Sequence, residues 1–192
     1  IKEQIDFTFV GPELPLVKGI VDEFQKHNLK IFGPTKRAAD LEGSKAFSKK
    51  FMLENGVRTA KAEIFDSYVL AKEYVQTQKY PLVVKASGLA AGKGVVICED
   101  IEHAEATLHQ FMIDKIFGDA GIKVVIEQFL KGFEASVIAF WNGKKAFPCV
   151  SAKDYKKIGN GDTGLNTGGM GTVAPSPEFT AEHLADFEKN IL

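Results

Sequence analysis

Residues Pro81 to Cys98 read PLVVKASGLAAGKGVVIC, and no other stretch narrows the possible folds of this chain as sharply. Two short β-branched runs, Leu82 to Val84 and Val95 to Ile97, flank a loop that holds Gly88, Gly92 and Gly94, with Lys85 and Lys93 at its edges. Glycine lets the backbone take φ > 0 or approach a ligand closely, so successive N–H groups can converge on phosphate oxygens. Lys85 ends a strand, a rigid place from which to hold an ammonium against a phosphate. The expected element is a hairpin lid over a triphosphate, and an ordinary glycine-rich hairpin is the alternative.

This loop is not a Walker-type phosphate loop. Only three residues separate Gly88 from Gly92, Gly94 rather than Ser or Thr follows Lys93, and Val95 to Cys98 reads as a strand where that motif needs a helix. A second glycine pattern, Gly159-Asn-Gly-Asp-Thr-Gly164, matches G-x-G-x-x-G letter for letter. No helix is expected after it, so a dinucleotide fold is not the reading.

With 192 residues, 45% of them apolar and 26% charged, the chain has the balance of a soluble globular protein of one large or two small domains. A formal net charge of -1 gives no case for nucleic acid or an anionic membrane as partner. Seven Lys or Arg against three acids between Lys36 and Lys61 could draw an anionic substrate, or could be a solvated helix face. Cys98 and Cys149 have no paired spacing, and His27, His103, His109 and His183 are scattered, so neither a disulfide framework nor a zinc site is expected. A reducing cytoplasm fits best. No signal peptide or long apolar run is present, and both ends read as cuts in a longer protein.

Along the chain, Ile5 to Val10, a helical pattern carrying Leu16, Ile20, Val21 and Phe24, and Ile31 to Phe32 suggest a βαβ unit with a parallel sheet. Ligands of such sheets bind beyond the strand carboxyl ends, which makes Gly11-Pro12-Glu13 a candidate substrate edge, with a solvated turn as the alternative. Residues 35 to 55 are expected as two helices, capped by Thr35, broken near Gly43-Ser44 and closed by Asn55-Gly56, with Phe47 and Phe51 on one face. Lys45 starts the second of these, where backbone N–H groups would also point at a phosphate. A third helix after Ser67 should bury Leu70, Tyr74 and Val75, and a fourth after Asp100 should carry Ala104, Leu108, Met112 and Ile116. Lys123 to Glu127 reads as a strand, then Glu134 to Trp141 and Lys144 to Val150 as two strands joined by Asn142-Gly143. Ser151 to Gly171 reads as a long functional loop, and Thr180 onward as a helix carrying Leu184, Phe187 and Ile191.

Glu127 and Glu134 bracket a connector, Phe129 to Gly132. Its backbone at Phe129 and Leu130 could meet an adenine edge, Glu127 could accept from the adenine amine and Glu134 from ribose hydroxyls; two solvated strand-end residues are the alternative. Asp154, Lys156, Asp162, Asn166 and Thr167 supply charge and hydrogen bonds on a glycine-loosened backbone, enough to wrap a small polar substrate or a transferring phosphoryl group. A disordered polar loop would have the same composition.

Taken together, the lid KASGLAAGKGVV, the hinge VIEQFLKGFEAS and the tract GDTGLNTGGMG resemble the ATP-grasp enzymes, and among them the phosphoribosylamine-glycine ligase family. VGPELPLVKGIVD, FGPTKRAADLEGSKAFSKKF and AFGDAGIKVVIEQFL are similar to the same family, so the resemblance covers nearly the whole chain. It implies an α/β (α+β) ATP-grasp fragment: residues 1–55 the end of an amino-terminal substrate-binding domain, 56–127 a lid subdomain and 128–192 the start of a truncated catalytic subdomain. It also implies a reaction in which ATP phosphorylates glycine and the amine of 5-phosphoribosylamine attacks the acyl phosphate.

On that resemblance Lys45, Lys85, Ser87, Gly88, Gly92, Lys93 and Gly94 serve the ATP phosphates, and Glu127, Phe129, Leu130 and Glu134 the nucleoside. Gly11, Pro12, Glu13, Asp154, Thr167, Gly168, Gly169 and Met170 would face the substrates, with Lys156 and Asn166 catalytic. Magnesium, or manganese, would accompany ATP, with its ligands beyond Leu192, so the chain is not expected to be active alone. Two departures from the family stand out, Lys153-Asp-Tyr-Lys156 where members often read Gln-Asp-His-Lys, and Leu165 where Pro usually precedes the Asn. Another ATP-grasp carboxylate-amine ligase or carboxylase, and a non-catalytic ATP-binding module, are the competing readings.

Overall fold

A computed structural model of the chain describes residues 3–161 and 163–192, Leu165 by its backbone alone. It divides into two compact units, one of Ile1–Asn55, Thr59–Ala90 and Gly94–Phe129, the other of Gly56–Arg58, Ala91–Lys93 and Leu130–Leu192.

In the first unit, β1 (Thr8–Phe9) and β2 (Ile31–Phe32) pair in parallel, as the βαβ pattern predicts. The single helix expected between them is two, α1 (Glu13–Val17) and α2 (Ile20–Lys26). Gly19, at φ 90°, ends the first and starts the second, and of the expected stripe only Val21 is fully buried. α3 (Lys36–Gly43) and α4 (Lys45–Glu54) break at Ser44 as expected, but Thr35 makes no side-chain cap. Asp22 Oδ2 accepts from the Lys36 amide at 2.7 Å instead, a cap supplied from α2.

The rest of this unit is an antiparallel sheet of β3 (Ala62–Phe65), β4 (Leu82–Ala86), β5 (Val95–Cys98) and β6 (Val124–Gln128), in the order β3-β6-β4-β5. Period-2 alternation sends Leu82, Val84, Ala86, Val124 and Ile126 to one face, where they share a core with α5 (Tyr68–Val75) and α6 (Ile101–Met112). Ala71, Val75, Ala104, Leu108 and Phe111 fill it from the helices, each large side chain contributing about 1.5–3 kcal/mol of burial. Ser67 and Asp100 cap these helices by accepting from the Leu70 and His103 amides. Leu70, expected inside, is exposed, because the inward stripe of α5 runs through Ala71 and Val75. Ile116 is exposed too, since α6 ends at Met112 and Lys115 turns the chain at φ 53°.

In the second unit, β7 (Ala139–Trp141) and β8 (Ala146–Pro148) form the expected hairpin in shorter form. Its turn is longer than Asn142-Gly143: Asn142 Oδ1 accepts from the Lys144 and Lys145 amides at 3.0 and 2.8 Å and extends the turn to Lys145. Toward Glu134 the pairing shrinks to a bridge between Ser136 and Ala152. The expected long loop is instead a ladder of β9 (Lys153–Gly159) and β10 (Thr163–Val173), antiparallel, with register shifts between Thr163 and Asn166 and between Asn166 and Gly171. These irregularities absorb glycines that look like loop in the sequence. Helix α7 (Ala181–Asn190) opens on a capping box of Thr180 and His183. Among the described residues no helix is long and apolar enough to cross a membrane.

Candidate nucleotide-binding site

On the sheet face opposite the core, the β4–β6 register sets Lys85 against Val125. Glu127 is therefore Lys85's diagonal neighbour on the same face. Lys85 Nζ lies 2.6 Å from Glu127 Oε2. The other oxygen, Oε1, lies 3.2 Å from Nζ of Lys49, which α4 supplies. Lys49 also donates to Thr59 Oγ1 at 2.6 Å and to the Ala60 carbonyl at 3.1 Å. Its side chain is 4% exposed and that of Glu127 10%, so both charges are desolvated and depend on this network. Sequence reasoning took the lysine-rich run as an anion-attracting or solvated face and did not single out Lys49. The one available signal was its spacing of four from Lys45, which puts both on one face of α4.

Lys45 Nζ donates to the Gly88 carbonyl at 3.0 Å. Burial holds this ammonium below the usual lysine range, and the positive charge of Lys85 pushes the same way against the pull of Glu42. Lys85 thus disfavours the charge of Lys45, and an anion beside Lys45 would relieve it. The amides at the start of α4 are not available to that anion, contrary to the sequence expectation. Lys45 N donates to the Ser87 carbonyl at 2.7 Å, Ala46 N to Ser87 Oγ at 3.1 Å and Phe47 N to Ser44 Oγ at 3.2 Å. Ser87 is buried, and its carbonyl and hydroxyl serve this helix end.

The root of the glycine loop is bound as well. Ser87 N donates to the Lys123 carbonyl, Gly88 N to that of Ala120, and Ala86 N to that of Gly94. A Cβ on Gly88 would come within 2.7 Å of Ala120 Cα, so glycine is needed there for close approach rather than for a positive φ. The turn itself falls at Ala91 and Gly92, at φ 47° and 76°, and Lys93 beside them is exposed.

Elsewhere in the first unit, Gly11, Pro12 and Glu13 follow β1 at its carboxyl end, with Pro12 the N-cap and Glu13 the first residue of α1. Phe129 follows β6 half-buried. In the second unit Leu130 and Glu134 are exposed, Glu134 outside any strand. Asp154 and Lys156 stand on β9 with 3.9 Å between their charged atoms. Across the ladder Asn166 pairs with Lys157, and Thr167 Oγ1 donates to the Lys156 carbonyl and accepts from the Gly169 amide. Gly168 and Met170 follow the same strand, and Met170 is exposed. Gly159, Gly161 and Gly164 shape the β9–β10 turn and open no helix, in keeping with the rejection of a dinucleotide site. Asp162 lies outside the described residues. Lys153, the departure from the family pattern, pairs with Glu178 at 2.6 Å. Among the described residues, no group of three or more His, Cys, Asp or Glu could hold a metal ion.

Two family profiles match the chain: "Phosphoribosylglycinamide synthetase, N domain" over residues 1–42 and "Phosphoribosylglycinamide synthetase, ATP-grasp (A) domain" over residues 43–192. The phosphoribosylamine-glycine ligase of Clostridium acetobutylicum is 53% identical over 191 residues, covering 100% of this chain and 46% of that protein. That of Fusobacterium nucleatum is 54% identical over 192 residues, 100% of this chain and 45% of that protein. The crystal structure of phosphoribosylamine-glycine ligase from Thermotoga maritima superposes with a TM-score of 0.78 at 34% identity, covering 97% of this chain and 45% of that one. The chain thus spans about half the length of the curated relatives it matches. With both profiles tiling it end to end and an ATP-grasp fold beneath them, the chain belongs to the phosphoribosylglycinamide synthetase family.

Proposed function

We propose that this chain is the nucleotide-binding part of an ATP-dependent ligase that joins glycine to 5-phosphoribosylamine in purine biosynthesis. The observation that carries the reading is Lys85 paired with the largely desolvated Glu127 carboxylate, and Lys45, whose charge is opposed by that of Lys85, bonded to the Gly88 carbonyl at the root of a glycine loop. In the reaction, a glycine carboxylate oxygen attacks the γ-phosphorus of ATP and ADP leaves. The amine of phosphoribosylamine then attacks the acyl carbon, phosphate departs and the nitrogen loses a proton, giving glycinamide ribonucleotide.

Lys45 and Lys85 hold the triphosphate by charge-assisted bonds, and the loop of Ser87, Gly88, Gly92, Lys93 and Gly94 covers it. A cover that excludes water protects the acyl phosphate from hydrolysis. Glu127, Phe129, Leu130 and Glu134 meet the nucleoside. Asp154, Thr167, Gly168, Gly169 and Met170, with Gly11, Pro12 and Glu13, meet glycine and the ribose phosphate, while Lys156 and Asn166 stabilise the transferring phosphoryl group. Magnesium, with manganese as the other candidate, accompanies ATP, and among the described residues no group of three or more His, Cys, Asp or Glu is placed to hold it. Both cysteines are free, which suits a cytoplasmic setting.

The test is a coupled assay for ADP release on the intact protein with ATP, phosphoribosylamine and a panel of carboxylic acids. Stimulation by glycine is expected. Stimulation by a different acid alone would make the protein a sister ligase, and ATP binding without acid-dependent ADP release would make it a non-catalytic module.

A further inference from the structure

We infer that Lys49 is a positioning residue for nucleotide binding, acting through Glu127 on Lys85. The inference deepens the proposed function and rests on Lys85 holding the ATP phosphates. Lys49 is itself too buried to touch a ligand, and its three ammonium hydrogens face three oxygens, those of Thr59, Ala60 and Glu127. A lysine so enclosed is costly to keep charged unless every partner stays in place. Lys85 differs, with 26% of its side chain exposed and one carboxylate oxygen as its ion-pair partner.

Between them Glu127 has one oxygen on each lysine, which fixes its carboxylate edge-on at two points. Without Lys49 the carboxylate is held at one point and can rotate, and the ammonium of Lys85 goes with it. Lys49 also lies one helical turn from Lys45 on α4, so the same anchor fixes the turn that bears the second phosphate-facing lysine. An ordinary buried ion pair would stabilise the fold with no such dependence.

A double-mutant cycle on the intact protein separates the two, with the dissociation constant of ATP as the readout. Lys49→Met is expected to weaken ATP binding on the order of tenfold in the wild-type background and less than about twofold beside Lys85→Met, since groups in one ion-pair network are non-additive. Equal weakening in both backgrounds, or none in the wild type, overturns the inference. If Lys85→Met by itself leaves ATP binding unchanged, the proposed function fails first, and this inference with it. Should Lys49→Met not fold, Thr59→Val removes the 2.6 Å bond and leaves the ion pair in place. Weakening that vanishes beside Lys85→Met then supports the inference, and equal weakening in both backgrounds or none in the wild type overturns it.

Discussion

Lys45 Nζ and the Gly88 carbonyl are joined at 3.0 Å, so the lysine proposed to hold a triphosphate is tied to the root of the loop proposed to cover it. An arriving anion competes with a carbonyl for the same ammonium. Because burial holds the Lys45 titration below the ordinary lysine value, its folded form releases its proton at a lower pH than the unfolded chain does. The unfolded state then binds more protons between the two values, and the Lys45 contribution to stability rises with pH across that alkaline window. Lysine-labelled NMR of the intact protein should show the Lys45 titration below the ordinary range and moving upward when ATP is added. No movement on ATP addition counts against a phosphate contact at this residue.

Lys85→Met is expected to weaken ATP binding roughly ten- to a hundredfold, the loss of one charge-assisted bond of roughly 1.5–3 kcal/mol. Calorimetric titration measures it directly. Thermal unfolding should shift downward as well, because the substitution takes one of two ammonium partners from the largely desolvated Glu127 carboxylate.

Close packing at Gly88 predicts a different kind of loss. Gly88→Ala drives a Cβ against the Ala120 backbone and should destabilise by about 1–3 kcal/mol, as overpacking does. Gly168→Ala meets nothing within 4 Å and should stay within about 0.5 kcal/mol of wild type in denaturant titrations. Equal effects of the two would contradict the close approach.

In the core, Leu108→Ala removes a fully buried side chain from under the sheet and should cost about 2–5 kcal/mol, read as a lower midpoint at unchanged slope in urea unfolding.

Linking α6 to α5, Glu105 receives hydrogen bonds from Lys72 and Gln76, and these hold its carboxyl below the usual glutamate value, Lys72 first. Its contribution to stability is present above the unfolded value and is lost as pH falls through the folded one. Lys72→Met should raise the Glu105 titration toward the ordinary value in carboxyl NMR. A titration that does not move would assign the shift to Gln76.

The β4–β5 hairpin, both flanking helices and the parallel β1–β2 pair were legible because their signals are local: β-branched runs, glycines and cap residues within a few positions. The β9–β10 ladder was not. Its strands pair through backbone groups, and glycine at register shifts such as that between Asn166 and Gly171 looks like loop. Of the site, Lys45, Lys85, Ser87, Gly88 and Glu127 do come together in one unit, yet Ser87 serves the helix end through contacts that no spacing reveals. Lys49 escaped notice for a similar reason. Its burial depends on Glu127, a partner far along the chain, and a lysine among lysines carries no mark of being inside.

The serine-sealed head of α4 has a further consequence for selectivity. With those amides occupied, the head of α4 offers the proposed site no cradle of backbone dipoles, and its attraction for an anion rests on the Lys45 ammonium at the end of a pliant stem. Such groups respond to how much negative charge arrives and tolerate many outlines of it. At the proposed site, telling a nucleotide from a bare polyphosphate therefore falls to residues other than the lysines.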